Sequence, residues 1–295
     1  MQKSNAGRLQ MTWFGRKQTV CDWNLDGHHD HALASRVYAF GFFHRTIQIV
    51  GLTSLPGGKM NSSKFLTGRG RERLTLEEQT LLEDSSSNVQ AVKARETLVR
   101  RGKPVCSSML VTEGFVCRSA SKHRGQRQMV SLHIPGDFVD LDGFKLKRLD
   151  NDVVSIGPAK VTVYSHDTLA SLSERCSRLA ESFWLSSLLD AAIHRAWIFR
   201  LGRLEAEERV AHLFCELHAR LEMVGLAQNA SFGLPLTQSD LGAALSLTGV
   251  HINRVLRSLR ERGLLTFQSR QVKIHDRKAL AKLGDFDPAY LYAAT

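Results

Sequence analysis

Apolar and polar positions change period along this chain, and the changes divide it. From Leu74 to Leu169 apolar residues come in short runs broken by turn residues, as in SSMLVTEGFVCRSA (107–120), RQMVSLHIPGDFV (127–139) and DVVSIGPAKVTVYS (152–165). Short strands at regular spacing predict a small barrel or jelly roll over 74–170. Pro135-Gly136-Asp137 reads as a turn, because proline presets its own φ and glycine tolerates a positive one. From about Leu169 the period becomes helical, and no proline occurs between Pro158 and Pro235. Leu185, Leu189, Ala192, Ala196 and Phe199 recur at spacings of 4, 3, 4 and 3. That spacing predicts a helix within 171–203, running from about Ser177 to Gly202 and about 40 Å long at 1.5 Å per residue. Such a stripe needs a partner, either its own domain or a second copy. Dimerisation through these five residues is the expectation. A further helix, about Leu204 to Val224, carries Val210, Leu213, Phe214, Leu217 and Leu221 on one face.

In PLTQSDLGAALSLTGVHINRVLRSLRERG (235–263) the apolar positions Leu241, Leu245, Leu247, Ile252 and Val255 fit the buried positions of a helix-turn-helix. Gly242 stands where the two helices must cross closely. Thr237 and Thr248 can cap the first turns, since a hydroxyl accepts from the unpaired N–H groups there. On the second helix Val250, Asn253, Arg254 and Arg257 share a polar, basic face, as a helix entering a major groove requires. LLTFQSRQVKIHD (264–276) adds two short strands around a Ser269-Arg270-Gln271 turn, a wing with Arg270 at its tip. The predicted DNA-binding set is Thr237, Gln238, Thr248, Gly249, Val250, His251, Asn253, Arg254, Arg257 and Arg270, within a winged helix-turn-helix domain over 204–295.

Charge supports that placement. Of 295 residues, 40 are Lys or Arg and 29 Asp or Glu, a net +11. Phe232–Leu283 carries nine basic and three acidic residues, and Met1–Arg73 eleven and four, while the middle is neutral. A basic surface at a helix-turn-helix points to a polyanion, double-stranded DNA. Residues 1–73 show no clear periodicity and are expected to be a poorly ordered extension. They include Trp13, Trp23, the GHHDH segment (27–31), PGGK (56–59) and Met60, which stands just before the first ordered pattern. GHHDH could ligate a metal but reads better as incidental histidines. The five cysteines, Cys21, Cys106, Cys117, Cys176 and Cys215, are scattered with no CxxC, which suits a reducing compartment. The longest apolar run, VYAFGFF (37–43), is far short of the roughly 18 residues a membrane span needs. No membrane partner and a cytoplasmic location are expected.

The order of β-barrel, long helix and winged helix-turn-helix, with IPGDF (134–138), resembles the Crp/Fnr family of bacterial transcription regulators over about Leu74–Leu283. LDAAIHRAWIFRLGRLEAEERVAHLFCEL (189–217) resembles the helical section of one group within it. The resemblance implies an α+β fold with an N-terminal jelly roll of the cyclic-nucleotide-binding type. It implies a homodimer reading a palindromic operator and contacting RNA polymerase, with readout from Val250, Asn253 and Arg254. Arg254 fits the family pattern, whereas Val250 stands where an acidic residue is common. The family's cyclic-nucleotide members hold the phosphate with an Arg-Ser pair. In VDLDGFKLKRLDND (139–152), Asn151 and Asp152 take those places, amid Asp140, Asp142 and Asp150; Lys145, Lys147 and Arg148 could compensate only if a loop reorganised. Cyclic AMP is therefore not expected to bind. Iron–sulfur sensing needs about four thiolates, and only Cys21 precedes the barrel. No axial haem ligand stands out among twelve histidines, and no cofactor is expected. A competing class is a metal-dependent cupin-like enzyme using His123 and His133. The spacing of these two histidines does not match that fold's ligand pattern. No nucleophile–base pair, phosphate loop or dinucleotide fingerprint supports another enzyme.

Overall fold

The computed structural model describes residues 61–121 and 127–293. Trp13, Cys21, Trp23, GHHDH, VYAFGFF, PGGK, Met60 and His123 lie outside the described residues. Residues 61–73 form consecutive turns ending in a short 3-10 helix, Arg71–Arg73. This contradicts the expectation of poor order up to residue 73. Phe65 is fully buried and sits edge-on to Phe138, with ring centroids 5.3 Å apart.

The first helix, α1 (Leu76–Asp84), lies inside the stretch read as β. Its capping box, Thr75 with Glu78, satisfies two backbone donors at its start. The strands β1 (Asn88–Val92), β2 (Thr97–Val99), β3 (Ser107–Glu113), β4 (Val116–Ser121) and β5 (Arg127–His133) follow, then the short helix α2 (Leu141–Leu146) and strands β6 (Asp152–Ser155) and β7 (Ala159–Ser165). They form two antiparallel sheets, ordered β1-β7-β3 and β2-β6-β4-β5. Val111, Val116, Val153 and Val161 fill the space inside. These β-branched side chains lose little χ1 freedom on a pleated surface.

Helix α3 (His166–Arg175) ends at Cys176, whose extended backbone separates it from the long α4 (Ser177–Arg203). The expected boundary at 170 therefore falls inside a helix. The predicted stripe on α4 turns mostly inward. Leu189 and Ala192 are buried within this chain, and Leu185 and Leu189 pack in the cluster of Phe65, Phe138 and Phe183. Ala196 is half-buried and only Phe199 is exposed. The residues one position earlier carry the outward apolar surface: Trp184, Leu188 and Ile198 are 68%, 51% and 72% exposed. One residue is a 100° rotation, enough to exchange the core face for the outer one.

Helix α5 (Ala206–Met223) buries Val210, Leu213, Phe214, Leu217 and Leu221. The hairpin β8 (Ala227–Gln228) and β9 (Ser231–Gly233), helices α6 (Gln238–Leu245) and α7 (Gly249–Glu261), strands β10 (Leu265–Gln268) and β11 (Gln271–Ile274), and helix α8 (Arg277–Leu283) complete the module. Its sheet is ordered β10-β11-β9-β8. A final 3-10 turn, Pro288–Leu291, packs on α4 and α5. The module shares one apolar core with the barrel, since Met129 and Leu132 of β5 lie in the same cluster as Phe214, Leu241 and Leu245.

Candidate nucleic-acid interface

Helices α6 and α7 are held by their apolar sides. Leu241, Leu245, Ile252 and Leu259 are fully buried, each contributing roughly 1.5–3 kcal/mol by leaving water. The crossing is too tight for a side chain at Gly242, where a Cβ would lie 2.5 Å from the Leu247 carbonyl oxygen. Thr237 caps α6, its hydroxyl accepting from Asp240 N–H at 3.2 Å, and the Asp240 carboxylate accepts in return from Thr237 N–H at 2.7 Å. Thr248 caps α7 by accepting from His251 N–H at 3.2 Å.

The opposite side of α7 is open. Gly249, Val250, His251, Asn253, Arg254 and Arg257 are exposed, as are Thr237 and Gln238 at the start of α6. Arg254 has no carboxylate partner among the described residues, whereas Arg257 donates to Glu261 at 2.7 Å. In the wing, Ser269 and Arg270 have φ of 51° and 61° and make the two-residue turn alone. Gln271 belongs to β11. Two left-handed residues match the twist of a tight hairpin, and they carry Arg270 at its tip. Every predicted DNA-facing residue thus lies on solvent-facing surface of the α6–turn–α7–wing module.

Sequence reasoning missed a clamp between this module and the barrel. Arg95, in the β1–β2 turn, donates both Nη atoms to the Asp240 carboxylate at 2.5 and 2.6 Å. Burial alone would raise the Asp240 carboxyl, but the Arg95 and Thr237 donors hold it below the usual range. Ser246 adds a bond to Gln128 of β5 at 2.9 Å. The 145-residue separation left no local signal for the Arg95–Asp240 pair.

A cleft of about 1010 Å³ lies between the barrel and α4, lined among others by Arg118, Asp142, Asp150, Asp190, His194 and Trp197. Arg101, Arg118 and Arg148 all line it, and the buried one of the three is already engaged. Arg118, buried, donates to Asp142 and to Asp150, each at 2.8 Å. Asn151, at the cleft wall, donates to Asp150 at 2.7 Å, and Asp152 accepts from Arg101 N–H at 2.8 Å. Beside the cleft wall, buried Asp140 accepts from Met109 N–H through Oδ1 at 2.7 Å, while Oδ2 has no partner. Burial pushes its carboxyl up to about 7. His133 is buried against Ser131, 2.8 Å away, and among the described residues no group of three metal-ligating side chains gathers. Among the described residues Cys117, Cys176 and Cys215 form no disulfide.

A jelly-roll domain joined by a long helix to a winged helix-turn-helix defines the class: a DNA-binding transcription regulator with a sensor-type domain. Residues 208–283 match the Crp-like helix-turn-helix domain, and residues 89–176 match the cyclic nucleotide-binding domain. The chain belongs to the Crp/Fnr family of transcription regulators. It is 26% identical over 212 residues to the Anaerobic regulatory protein of Pasteurella multocida, covering 71% of this chain and 77% of that one. It is 24% identical over 211 residues to the Transcriptional activator protein FnrA of Stutzerimonas stutzeri, covering 72% and 86%. The structure of FixK2 from Bradyrhizobium japonicum superposes with a TM-score of 0.61 at 24% identity, over 66% of this chain and 96% of that one, a likeness of fold. These relatives are regulators rather than enzymes, in contrast to the cupin-like alternative. Among the described residues no helix is long and apolar enough to cross a membrane.

Proposed function

We propose that the protein is a cytoplasmic homodimer that reads a two-fold symmetric DNA operator through α7 and does so without cyclic AMP. The observation that carries the reading is the outer face of α7: Asn253 and unpartnered Arg254 stand exposed one turn from a capped N-terminus, the end that enters the groove. Arg254 can donate two bonds to guanine O6 and N7. Val250 can touch a thymine methyl. Arg257 and Arg270 are placed for phosphates, which position rather than specify.

The dimer seam is drawn from Trp184, Leu188, Ile198 and Phe199, because exposed apolar side chains at helical spacing mark an association surface. This replaces the stripe through Leu185, Leu189 and Ala192, which the chain's own core already uses. Charge argues against a cyclic nucleotide in the cleft. Arg118 is neutralised by two carboxylates, and an added phosphate would have to displace them. A transcriptional activator among the relatives supports RNA polymerase as a further partner.

The test is selection of binding sites from random duplexes. The expected outcome is an inverted repeat with half-sites centred about one helical turn apart. An asymmetric, non-repeated site would sink the reading. Sedimentation of the Leu188→Asp, Ile198→Asp protein should show monomer, and a persistent dimer would show the seam to lie elsewhere. Calorimetry with cyclic AMP should show no saturable heat, and saturable binding that tightens operator affinity would reverse that part.

A further inference from the structure

The least expected feature of the core is a buried charged junction away from the DNA-facing surface. Arg200, Glu216 and Arg220 are fully or almost fully buried. The Glu216 carboxylate accepts from Trp197 Nε1–H at 3.1 Å, from Arg200 at 3.5 Å and from Arg220 at 3.2 Å. Arg220 turns its other nitrogen to Asp137 at 2.6 Å and to the Leu132 carbonyl at 3.0 Å. Two guanidiniums and two carboxylates share these bonds, and the half-buried Arg69 adds a third positive charge beside Asp137. Burial would raise Glu216 and Asp137, yet the arginines hold both below the usual carboxylate range. The barrel turn, α4 and α5 therefore meet at one set of directional bonds.

A fourth element closes this set. After α8 the chain returns across α5, its backbone so close that a Cβ at Gly284 would lie 2.5 Å from His212 N. Gly284 carbonyl oxygen lies 2.9 Å from His212 Nδ1. Leu291 is fully buried. Tyr290 stacks on His212 with rings 13° apart, and its hydroxyl donates to Glu216 at 2.9 Å. The residue beyond the DNA-binding module thus bonds to the carboxylate that both arginines share. Such networks are worth more for the single arrangement they permit than for net stability.

We propose that Tyr290 is a positioning residue for operator reading: it closes the junction that fixes how the DNA-binding module is held against α4, and so which half-site spacing a dimer accepts. The proposal rests on the dimeric reading above. It separates two properties of recognition. Base preference within a half-site belongs to α7. Spacing between half-sites belongs to the angle at which each α7 is held.

The experiment compares wild type with Tyr290→Phe, which removes one oxygen and keeps the ring. Both are titrated with the selected operator, with operators whose centre is lengthened or shortened by one base pair, and with single half-sites, at a temperature where both are fully folded. Tyr290→Phe is expected to keep the half-site base preference and single half-site affinity. Its discrimination between the favoured spacing and its neighbours should fall about tenfold, the scale of one buried hydrogen bond to a charged group. Unchanged discrimination overturns the proposal. So does an equal loss at every spacing, which would mark a merely structural role. A wild type that binds single half-sites as well as paired ones overturns the dimeric reading, and the proposal with it.

Discussion

Two arginines at two sites differ in what they have left to bind. Arg254 stands on the outer face of α7, exposed and without a carboxylate beside it. Arg118 lines the cleft between barrel and long helix, where a phosphate-binding residue would be of use, yet it is buried between Asp142 and Asp150. Both residues carry the same charge. Arg254 keeps its donors toward solvent, where meeting a polyanion releases counterions, whereas both Nη groups of Arg118 are held by carboxylates and its Nε–H is buried without a partner. The outer face of α7 thus keeps its arginine open, while the cleft's buried arginine is spent on carboxylates and only Arg101 and Arg148 remain beside it.

Removing the closed arginine should have the largest consequence. Arg118→Ala leaves a cavity and two unpaired carboxylates, with Asp150 largely solvated, so a loss of roughly 2–4 kcal/mol in denaturant unfolding is expected. Half-site base preference should not change. A fall in stability below about 1 kcal/mol would mean the ion pairs are surface pairs of little worth.

Asp140 sharpens the same side. Its folded carboxyl is raised to about 7 by burial, with Asp142 raising it further and Arg118 opposing. The fold therefore favours the protonated form. The resulting stability is fully present below the ordinary carboxylate range and is lost as pH rises toward 7. Between pH 5 and 8 the wild type should lose about 2 kcal/mol relative to Asp140→Asn, whose stability lacks this titration. Parallel curves for the two proteins would show that Asp140 is ionised throughout.

On the open side, Arg254→Ala should cost roughly 1–3 kcal/mol on the operator and relax one base pair in each half-site. Equal losses on operator and scrambled duplex would mean that α7 does not read sequence there. The smallest effect belongs to Arg257. Its exposed pairing with Glu261 should yield to phosphate. Arg257→Ala should weaken all duplexes alike and make the salt dependence shallower by about one unit per protomer. A specificity change instead would exchange the roles given to the two arginines.

The helix-turn-helix could be read from the chain because each of its signals is local. Threonine caps, the Gly242 crossing and the polar stripe of α7 lie within about twenty residues, and the structure has them where the spacing puts them. The long helix was equally legible in extent, Ser177–Arg203 against an expected Ser177–Gly202. Its outward face was not. An apolar stripe says that a helix has a partner and does not say which chain supplies it. Phe65 and the barrel's Phe138 claim Leu185 and Leu189 from far along the sequence, and the seam moves to Trp184 and Leu188. The segment 61–73 was misjudged for the same reason: buried Phe65 and Leu66, with backbone bonds to Glu83 and Arg71, hold it and leave no periodic trace.

What sequence by itself determined here is whatever depends on neighbours along a helix or turn: the extent of α4, the threonine caps and the open basic face of α7. Only the tertiary structure decided which charges are spent. Glu216 and Arg220 stand at i and i+4, a spacing common on helix surfaces, yet they lie in the core with Arg200, Asp137 and Tyr290. Arg95 and Asp240 carry no hint of each other until the chain folds. Charge pairing at a distance depends on where the backbone places two side chains in a low-dielectric interior, and no local pattern encodes that placement.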